Sequence, residues 1–221
     1  MSPTSDEVFA AVEALGVVPV VEIDDPARAV PLARTLAEAG LPVLEVTFRT
    51  PAAREAVAAI AAELPEVLLG AGTLLDAAMV EDAAAAGARF GVSPGFSASA
   101  TAAAAAAGLP FVPGAVTPSE VIACWQAGAR HVKVFPAGAY GGAATLAALA
   151  GPFGWTGVRF MPTGGVRADD AAKYLAMPSV FAVGGTWIAP REDVVAGRWD
   201  RISERARAVA ALRPAREESA P

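Results

Sequence analysis

Short apolar runs, many of them rich in valine, alternate along the chain with amphipathic or alanine-rich stretches. The runs begin about 20 to 27 residues apart and have the length of buried strands, whereas the stretches between them carry helix caps and often end at glycine. The pattern predicts eight strands, at 17–23, 43–48, 68–73, 89–95, 110–115, 131–137, 158–165 and 179–187. It predicts helices at 4–15, 24–38, 50–63 (with Thr50 as cap), 76–86, 97–107, 117–127, 142–150, 168–175 and 199–213.

Strands that alternate with helices pair in parallel and are joined by right-handed crossovers. Eight such units in about 200 residues predict an α/β fold of the (β/α)₈ TIM-barrel type, with an extra N-terminal helix across its lower mouth. An open doubly wound sheet is the alternative, but Gly-Ala-Gly at 70–72 lacks the remaining glycine of a dinucleotide-binding loop. We expect one domain over residues 1–213 and a disordered tail at 214–221.

Composition narrows the functional classes. The net charge is −6 and the pI is about 4.9, without a basic cluster, so neither nucleic acid nor an anionic membrane surface is an expected partner. The one cysteine, Cys124, excludes an internal disulfide, and with a single histidine, His131, it cannot form a His/Cys metal site. No signal-peptide pattern and no long apolar run is present, so we expect a cytoplasmic protein.

The sixth strand, HVKVFPA, holds a lysine among apolar residues. The chain has two lysines against fifteen arginines, so Lys133 is not one of many surface lysines. An ammonium in an apolar strand loses hydration, which favours the neutral amine that forms a Schiff base with a carbonyl. The competing interpretation is that Lys133 lies at a strand end and extends its amine to water.

Active sites of such barrels lie at the carboxyl ends of the strands. The second strand ends in EVTFRT, where Glu45, Thr47 and Arg49 alternate with apolar residues and therefore point to one side. An inward carboxylate and guanidinium are costly unless they pair or bind a ligand. A buried Glu45–Arg49 ion pair is the purely structural alternative.

Four other strand ends carry polar residues or glycine. Thr73 follows the third strand and could instead cap the next helix, and Ser-Pro-Gly at 93–95 could be only a tight turn. Strands seven and eight end in Thr-Gly-Gly (163–165) and Gly-Gly-Thr (184–186), the two positions at which many barrels bind phosphate through backbone N–H groups. Turn geometry alone is the alternative explanation for these glycines.

Together these residues match the needs of a Schiff-base lyase acting on a phosphorylated keto acid. The lysine would condense with the ketone, a carboxylate would move protons, an arginine would hold the substrate carboxylate, and the glycine loops would hold a remote phosphate. A phosphosugar isomerase or epimerase and a non-catalytic sugar-phosphate binder are the alternatives. The inward Glu45 disfavours the binder, because its charge repels an acidic ligand.

The motifs EVTFRT, GAGT, SPG, PGAVTPSE, KVFPA, PTGGV and VGGTW, in this order and spacing, resemble the 2-keto-3-deoxy-6-phosphogluconate (KDPG) aldolase family, class I aldolases of the Entner–Doudoroff pathway. The resemblance covers nearly the whole chain apart from the tail. It implies that Lys133 forms the Schiff base, Glu45 is the general acid/base acting through a water, Arg49 binds the pyruvyl carboxylate and Thr73 orients it. It also implies a homotrimer without a metal, a phosphate site at Gly164, Gly165, Gly184, Gly185 and Thr186, and a pocket lined by Pro94 and Thr163.

Two departures from the family pattern stand out. Gly138 follows KVFPA where relatives often carry glutamate, and Thr186 stands where serine is common, which preserves the hydroxyl. The related galactonate-epimer enzymes tend to read EIPLNS and TPN, so EVTFRT and SPG favour the gluconate epimer. The family's activity on 4-hydroxy-2-oxoglutarate (KHG) leaves substrate breadth open.

Overall fold

A computed structural model describes residues 4–212, which form a (β/α)₈ barrel as the sequence predicts. The strands are β1 (Val17–Val21), β2 (Val43–Thr47), β3 (Leu68–Gly72), β4 (Phe90–Val92), β5 (Phe111–Val112), β6 (Gly114–Ala115), β7 (His131–Val134), β8 (Arg159–Pro162) and β9 (Val183–Gly185). The α-helices are α1 (Ser5–Leu15), α2 (Ala29–Glu38), α3 (Ala53–Glu63), α4 (Ala77–Ala85), α5 (Ala98–Ala107), α6 (Pro118–Gln126), α7 (Gly142–Ala150), α8 (Ala168–Leu175), α9 (Arg191–Val195) and α10 (Trp199–Ala210). The predicted tail at 214–221 lies outside the described residues.

Parallel pairing runs around the barrel. One arc has the order β5-β4-β3-β2-β1-β9 and the other β6-β7-β8. A bridge between Thr163 and Gly184 joins β8 to β9, and β5 and β6 are two halves of one barrel strand on either side of Pro113. Proline has no N–H to donate, so the ladder breaks there, although the Pro113 carbonyl still accepts from Lys133 N at 2.9 Å.

The N-terminal helix covers the lower end of the barrel, as predicted. Thr4 caps α1 through a capping box with Glu7. Phe9 of α1 stacks on His131 at the start of β7, with ring centroids 4.1 Å apart. Phe181 packs nearly perpendicular to the same imidazole, with ring centroids 4.7 Å apart. This end of the barrel is therefore filled by rings.

Some predicted boundaries are wrong. The second helical segment opens as a short 3₁₀ turn at Pro26–Arg28, and α9 was not predicted at all. Thr50 does not cap α3, which begins at Ala53 without a side-chain cap; its hydroxyl instead donates to the Ile23 carbonyl at 2.5 Å. That bond joins the end of β2 to the loop after β1. No helix within residues 4–212 has the length and apolar character needed to span a bilayer.

Candidate active site

Lys133 and Glu45 meet inside the barrel, from β7 and β2. The Lys133 amine lies 3.1 Å from one Glu45 carboxylate oxygen and 3.5 Å from the other. Glu45 is fully buried and Lys133 is 4% exposed. The interpretation that Lys133 extends to water is therefore wrong: its amine is buried beside a single carboxylate that carries the opposite charge.

The Gly-Ala-Gly of β3 makes room for this pair. Gly72 lies opposite Thr47, and a Cβ built on it would come within 2.0 Å of Glu45 Oε1. Gly70 similarly accommodates the ring of Phe90, which would lie 2.3 Å from an added Cβ. These two glycines are therefore packing requirements of the site, a role that the sequence analysis missed. The signal was present as small residues in the strand next to an inward glutamate.

An aromatic ring borders the amine on the side of its own strand. The Phe135 ring centroid lies 5.6 Å from Lys133 Nζ, and the following Phe135–Pro136 peptide is cis. An ammonium over a ring face is attracted by the ring quadrupole, whereas the neutral amine is not. The ring and Glu45 are thus the two features that hold the lysine head group.

Arg49 lies at the barrel mouth rather than beside Glu45. Its side chain is 48% exposed, its Nε donates to the Thr73 hydroxyl at 3.3 Å, and a guanidinium nitrogen lies 3.8 Å from Glu22. The alternative of a buried Glu45–Arg49 ion pair is wrong, because Glu45 pairs with Lys133. Thr47, on the same side of β2, is buried and donates to the Val21 carbonyl at 3.1 Å.

Thr73 has a strained backbone. Its φ of 63° makes it the one non-glycine residue within 4–212 in the left-handed region, where a β-branched residue is uncommon. It does not cap α4, as one interpretation had it, because Asp76 does so by accepting from Met79 N at 2.9 Å. The unusual conformation places the Thr73 hydroxyl against Arg49.

The Ser-Pro-Gly segment after β4 forms a tight turn next to β6. Ser93 is buried and its hydroxyl donates to the Gly95 carbonyl at 2.7 Å. A Cβ on Gly114 would lie 2.3 Å from the Pro94 carbonyl, so that strand approaches Pro94 backbone to backbone. Pro94 is half-buried at the end of β4.

The two glycine pairs have different structural reasons. Gly164 and Gly165 have φ of 83° and 74°, so the loop after β8 needs glycine for its backbone conformation. Gly184 and Gly185 have no such φ; a Cβ on them would lie 2.2 Å from the Thr163 hydroxyl and 2.2 Å from the Trp187 ring. Turn geometry alone therefore does not explain the second pair.

The loops after β7 and β8 are joined backbone to backbone. Ala137 N donates to the Thr163 carbonyl and Gly138 N to the Gly164 carbonyl, both at 2.8 Å. A Cβ on Gly138 would lie 2.8 Å from the Gly165 carbonyl oxygen, so this close approach of the two loops requires glycine at position 138. Thr163 is buried here, whereas Thr186 is exposed.

Three further charged residues at the mouth were not predicted. Glu22 and Asp24 follow β1, and Arg191 begins α9. Arg191 donates to both oxygens of Asp24, at 2.7 and 2.8 Å, and lies 2.8 Å from Glu22. Glu22 and Arg191, with Arg49 and Thr186, border a cavity of about 120 Å³. Nothing in the periodicity singles them out, because charged loop residues are usually solvated.

Known proteins resemble this chain over most of its length. The family model described as "KDPG and KHG aldolase" matches residues 8–205. A 2-dehydro-3-deoxy-phosphogluconate aldolase of Treponema pallidum is 44% identical over 196 residues, which cover 89% of this chain and 92% of the relative. The KHG/KDPG aldolase of Escherichia coli K12 is 43% identical over 191 residues, covering 86% of this chain and 89% of the relative.

One solved structure captures chemistry in a similar chain. The KDPG aldolase of Legionella pneumophila, crystallised with pyruvate as a covalent carbinolamine intermediate, superposes with a TM-score of 0.88 at 39% identity. The match covers 95% of this chain and 99% of that one.

Proposed function

The chain belongs to the KDPG and KHG aldolase family, and we propose that it is a class I aldolase that cleaves KDPG to pyruvate and glyceraldehyde 3-phosphate. The buried contact between Lys133 Nζ and Glu45, 3.1 Å long at the barrel mouth, is the observation that carries the proposal. It supplies an amine for a Schiff base and a carboxylate to move its protons. The similar Legionella enzyme, which holds pyruvate as a carbinolamine, supports the covalent step.

The reaction begins at Lys133. Glu45 takes a proton from the ammonium, and the resulting amine attacks the C2 carbonyl of the substrate. Glu45 protonates the new alkoxide and takes a second proton from the nitrogen, which gives a neutral carbinolamine. Glu45 then protonates the carbinolamine hydroxyl, which leaves as water and gives an iminium. The 3.1 Å contact is a hydrogen-bond distance, so this transfer needs no rearrangement of either side chain.

Carbon–carbon cleavage uses the same carboxylate. Glu45, through a water, removes the proton of the C4 hydroxyl; the C3–C4 bond breaks, and its electron pair passes into the iminium to give an enamine. Glyceraldehyde 3-phosphate leaves, Glu45 protonates C3, and hydrolysis of the new iminium releases pyruvate and restores the Lys133 ammonium beside the Glu45 carboxylate. Proton and electron counts balance without an external oxidant or reductant.

Binding groups surround this centre. Arg49 holds the pyruvyl carboxylate in a bidentate contact and Thr73, whose hydroxyl already contacts Arg49, orients it. Pro94 and Thr163 line the pocket. The phosphate lies against backbone N–H groups of Gly164, Gly165, Gly184 and Gly185 and the Thr186 hydroxyl, at the ends of the two strands where such barrels bind phosphate.

A second substrate is part of the proposal. The name of the Escherichia coli relative, KHG/KDPG aldolase, supports cleavage of KHG to pyruvate and glyoxylate by the same lysine. EVTFRT and SPG support the gluconate rather than the galactonate epimer of the phosphorylated acid.

We also propose that residues 1–213 form a single barrel domain and that the protein is a homotrimer. We further propose that it is cytoplasmic and acts in the Entner–Doudoroff pathway. The family resemblance supports the trimer and the pathway. The single cysteine, Cys124, which is buried in α6, supports the location.

A cleavage assay on both epimers of the six-carbon phosphorylated keto-deoxy acid tests the function. We expect pyruvate and glyceraldehyde 3-phosphate in equal amounts, with the gluconate epimer cleaved faster, and no turnover in Lys133→Ala. Rearrangement of a phosphosugar without pyruvate, persisting in Lys133→Ala, would instead establish an isomerase or epimerase.

A further inference from the structure

Four side chains of alternating charge cross one side of the barrel mouth, in the order Arg49, Glu22, Arg191, Asp24. Glu22 Oε2 lies 3.8 Å from Arg49, and Glu22 Oε1 lies 2.8 Å from Arg191. Arg191 in turn makes a two-pronged contact with Asp24. We call these four residues the mouth chain.

The mouth chain lies between the two ends of the proposed substrate site. Glu22 follows β1, which pairs with β2 on one side and β9 on the other. Strand β2 leads to Arg49, the proposed carboxylate ligand, and β9 carries two of the glycines of the proposed phosphate site, Gly184 and Gly185. A carboxylate at this position repels a substrate that is anionic at both ends.

Glu22 also competes with the substrate for Arg49. The two carboxylate oxygens of Glu22 interact with different arginines and at different distances. The contact with Arg191 is of hydrogen-bond length, whereas the contact with Arg49 is longer than a hydrogen bond. Glu22 therefore interacts mainly with Arg191. Arg49 donates from Nε to the Thr73 hydroxyl, and the other nitrogens of its guanidinium interact only weakly with Glu22.

Asp24 keeps Arg191 in this role. The Arg191 hydrogen bonds lower the pKa of Asp24, and the same contacts raise the pKa of Arg191, so the pair stays charged at neutral pH. The side chain of Glu22 is 23% exposed, the least of the four, which strengthens its interaction with whichever arginine is near.

We propose that Glu22 and Arg191 are positioning residues that set how strongly Arg49 binds the substrate carboxylate: Arg191 neutralises Glu22 and holds it away from Arg49. The inference rests on the proposed function, since it takes Arg49 as the carboxylate ligand. It assigns no contact with the reacting atoms to either residue.

Substitutions at Arg191 and Glu22 should change the affinity for pyruvate in different ways. In Arg191→Ala, Glu22 loses its nearer partner and moves onto Arg49, so half-saturation by pyruvate rises about fivefold while the maximal rate stays unchanged. Glu22→Gln removes the carboxylate that competes with pyruvate for Arg49. The half-saturation concentration of pyruvate should therefore fall or stay the same. In the double variant the half-saturation concentration returns to near the wild-type value, because no Glu22 carboxylate remains to move onto Arg49 when Arg191 is lost.

Borohydride trapping of pyruvate on the full chain measures these effects. The rate of adduct formation at Lys133 against pyruvate concentration gives half-saturation and maximal rate for the wild type, both single variants and the double variant. Arg54→Ala is the matched control, because Arg54 is an exposed arginine paired with Asp82 at 3.6 Å between α3 and α4. We expect it to leave both parameters unchanged, and thermal unfolding of each variant separates a stability loss from a binding effect.

Restored half-saturation in the double variant supports the inference. Unchanged half-saturation in Arg191→Ala, or a rise that Glu22→Gln does not reverse, overturns it and leaves the aldolase proposal intact. If wild-type Lys133 takes up no pyruvate at all, the proposed function fails, and the role of the mouth chain fails with it.

Discussion

Strand β7 carries two basic side chains, His131 toward the lower end of the barrel and Lys133 toward the mouth. One is surrounded by aromatic rings, and the other contacts a carboxylate. At the lower end, His131 lies against the rings of Phe9 and Phe181. Burial lowers the pKa of His131 to about 4, so the imidazole is neutral at pH 7. At the mouth, Lys133 contacts the buried Glu45 carboxylate at 3.1 Å. One base is held uncharged by apolar packing, and the other keeps a partner that can exchange protons with it.

This difference separates stability from chemistry within a single strand. The lower end uses aromatic packing and the Glu13–Arg159 ion pair between α1 and β8. The mouth instead carries features that cost stability: a buried ion pair and a threonine in the left-handed region. Substitutions at the mouth should therefore change kinetics, and substitutions at the lower end should change stability.

The largest effect should come from the carboxylate beside the lysine. Glu45→Gln removes the proton carrier and leaves the Lys133 charge buried without a partner, so kcat should fall by about 10²–10³-fold. Steady-state cleavage of KDPG measures it. Glu13→Gln is the same change at the lower end and should leave kcat unaltered; equal losses in the two variants would contradict the separation of the two ends.

A smaller effect is expected at the proposed phosphate site. In Gly184→Ala the new Cβ displaces the Thr163 hydroxyl, 2.2 Å away, so KM for KDPG should rise about tenfold while pyruvate trapping at Lys133 is preserved. Gly154→Ala, whose Cβ meets nothing within 4 Å, serves as the control. A loss of pyruvate trapping in Gly184→Ala would show that the two regions of the mouth do not act separately.

Substitution of His131 should have the smallest effect on activity but a measurable effect on the free energy of unfolding. The unfolded chain binds a proton near pH 6.5 but the folded chain only near pH 4, so stability falls as the pH drops through this window. His131→Phe keeps the ring packing and removes the proton, and should reduce the loss between pH 7 and pH 4.5 by about 2 kcal/mol in urea unfolding, given the partial exposure of the ring. Identical pH dependence in both proteins would contradict the account of the lower end.

Periodicity was sufficient for the barrel and for most of its helices. The eight strand–helix units, α8 at 168–175 and the capped start of α1 all follow from local residue patterns. Local patterns do not show whether a proline interrupts a strand. The division of the predicted strand 110–115 at Pro113 was therefore not predicted. Thr50 has the sequence of a cap but donates to a carbonyl on the neighbouring loop, a tertiary contact that the local pattern does not reveal.

The candidate site shows the same limit. The sequence singled out Lys133 and Glu45 because a lysine in an apolar strand and an inward carboxylate are unusual, and Thr73 because it places a hydroxyl at a strand end. The partner of each depends on where different strands place it: Glu45 meets Lys133 rather than Arg49, and Arg49 meets Glu22. The left-handed conformation of Thr73 and the space that Gly72 leaves for Glu45 require backbone coordinates.

The central claim is that Lys133 is the covalent centre, and borohydride reduction in the presence of pyruvate tests it most directly. The chain has only two lysines, so peptide mass mapping distinguishes Lys133 from Lys173, which is exposed on α8, without ambiguity. We predict one pyruvyl adduct per chain, on Lys133, retained in Lys173→Ala and absent in Lys133→Ala. An adduct on Lys173, or no adduct at saturating pyruvate, would contradict the account.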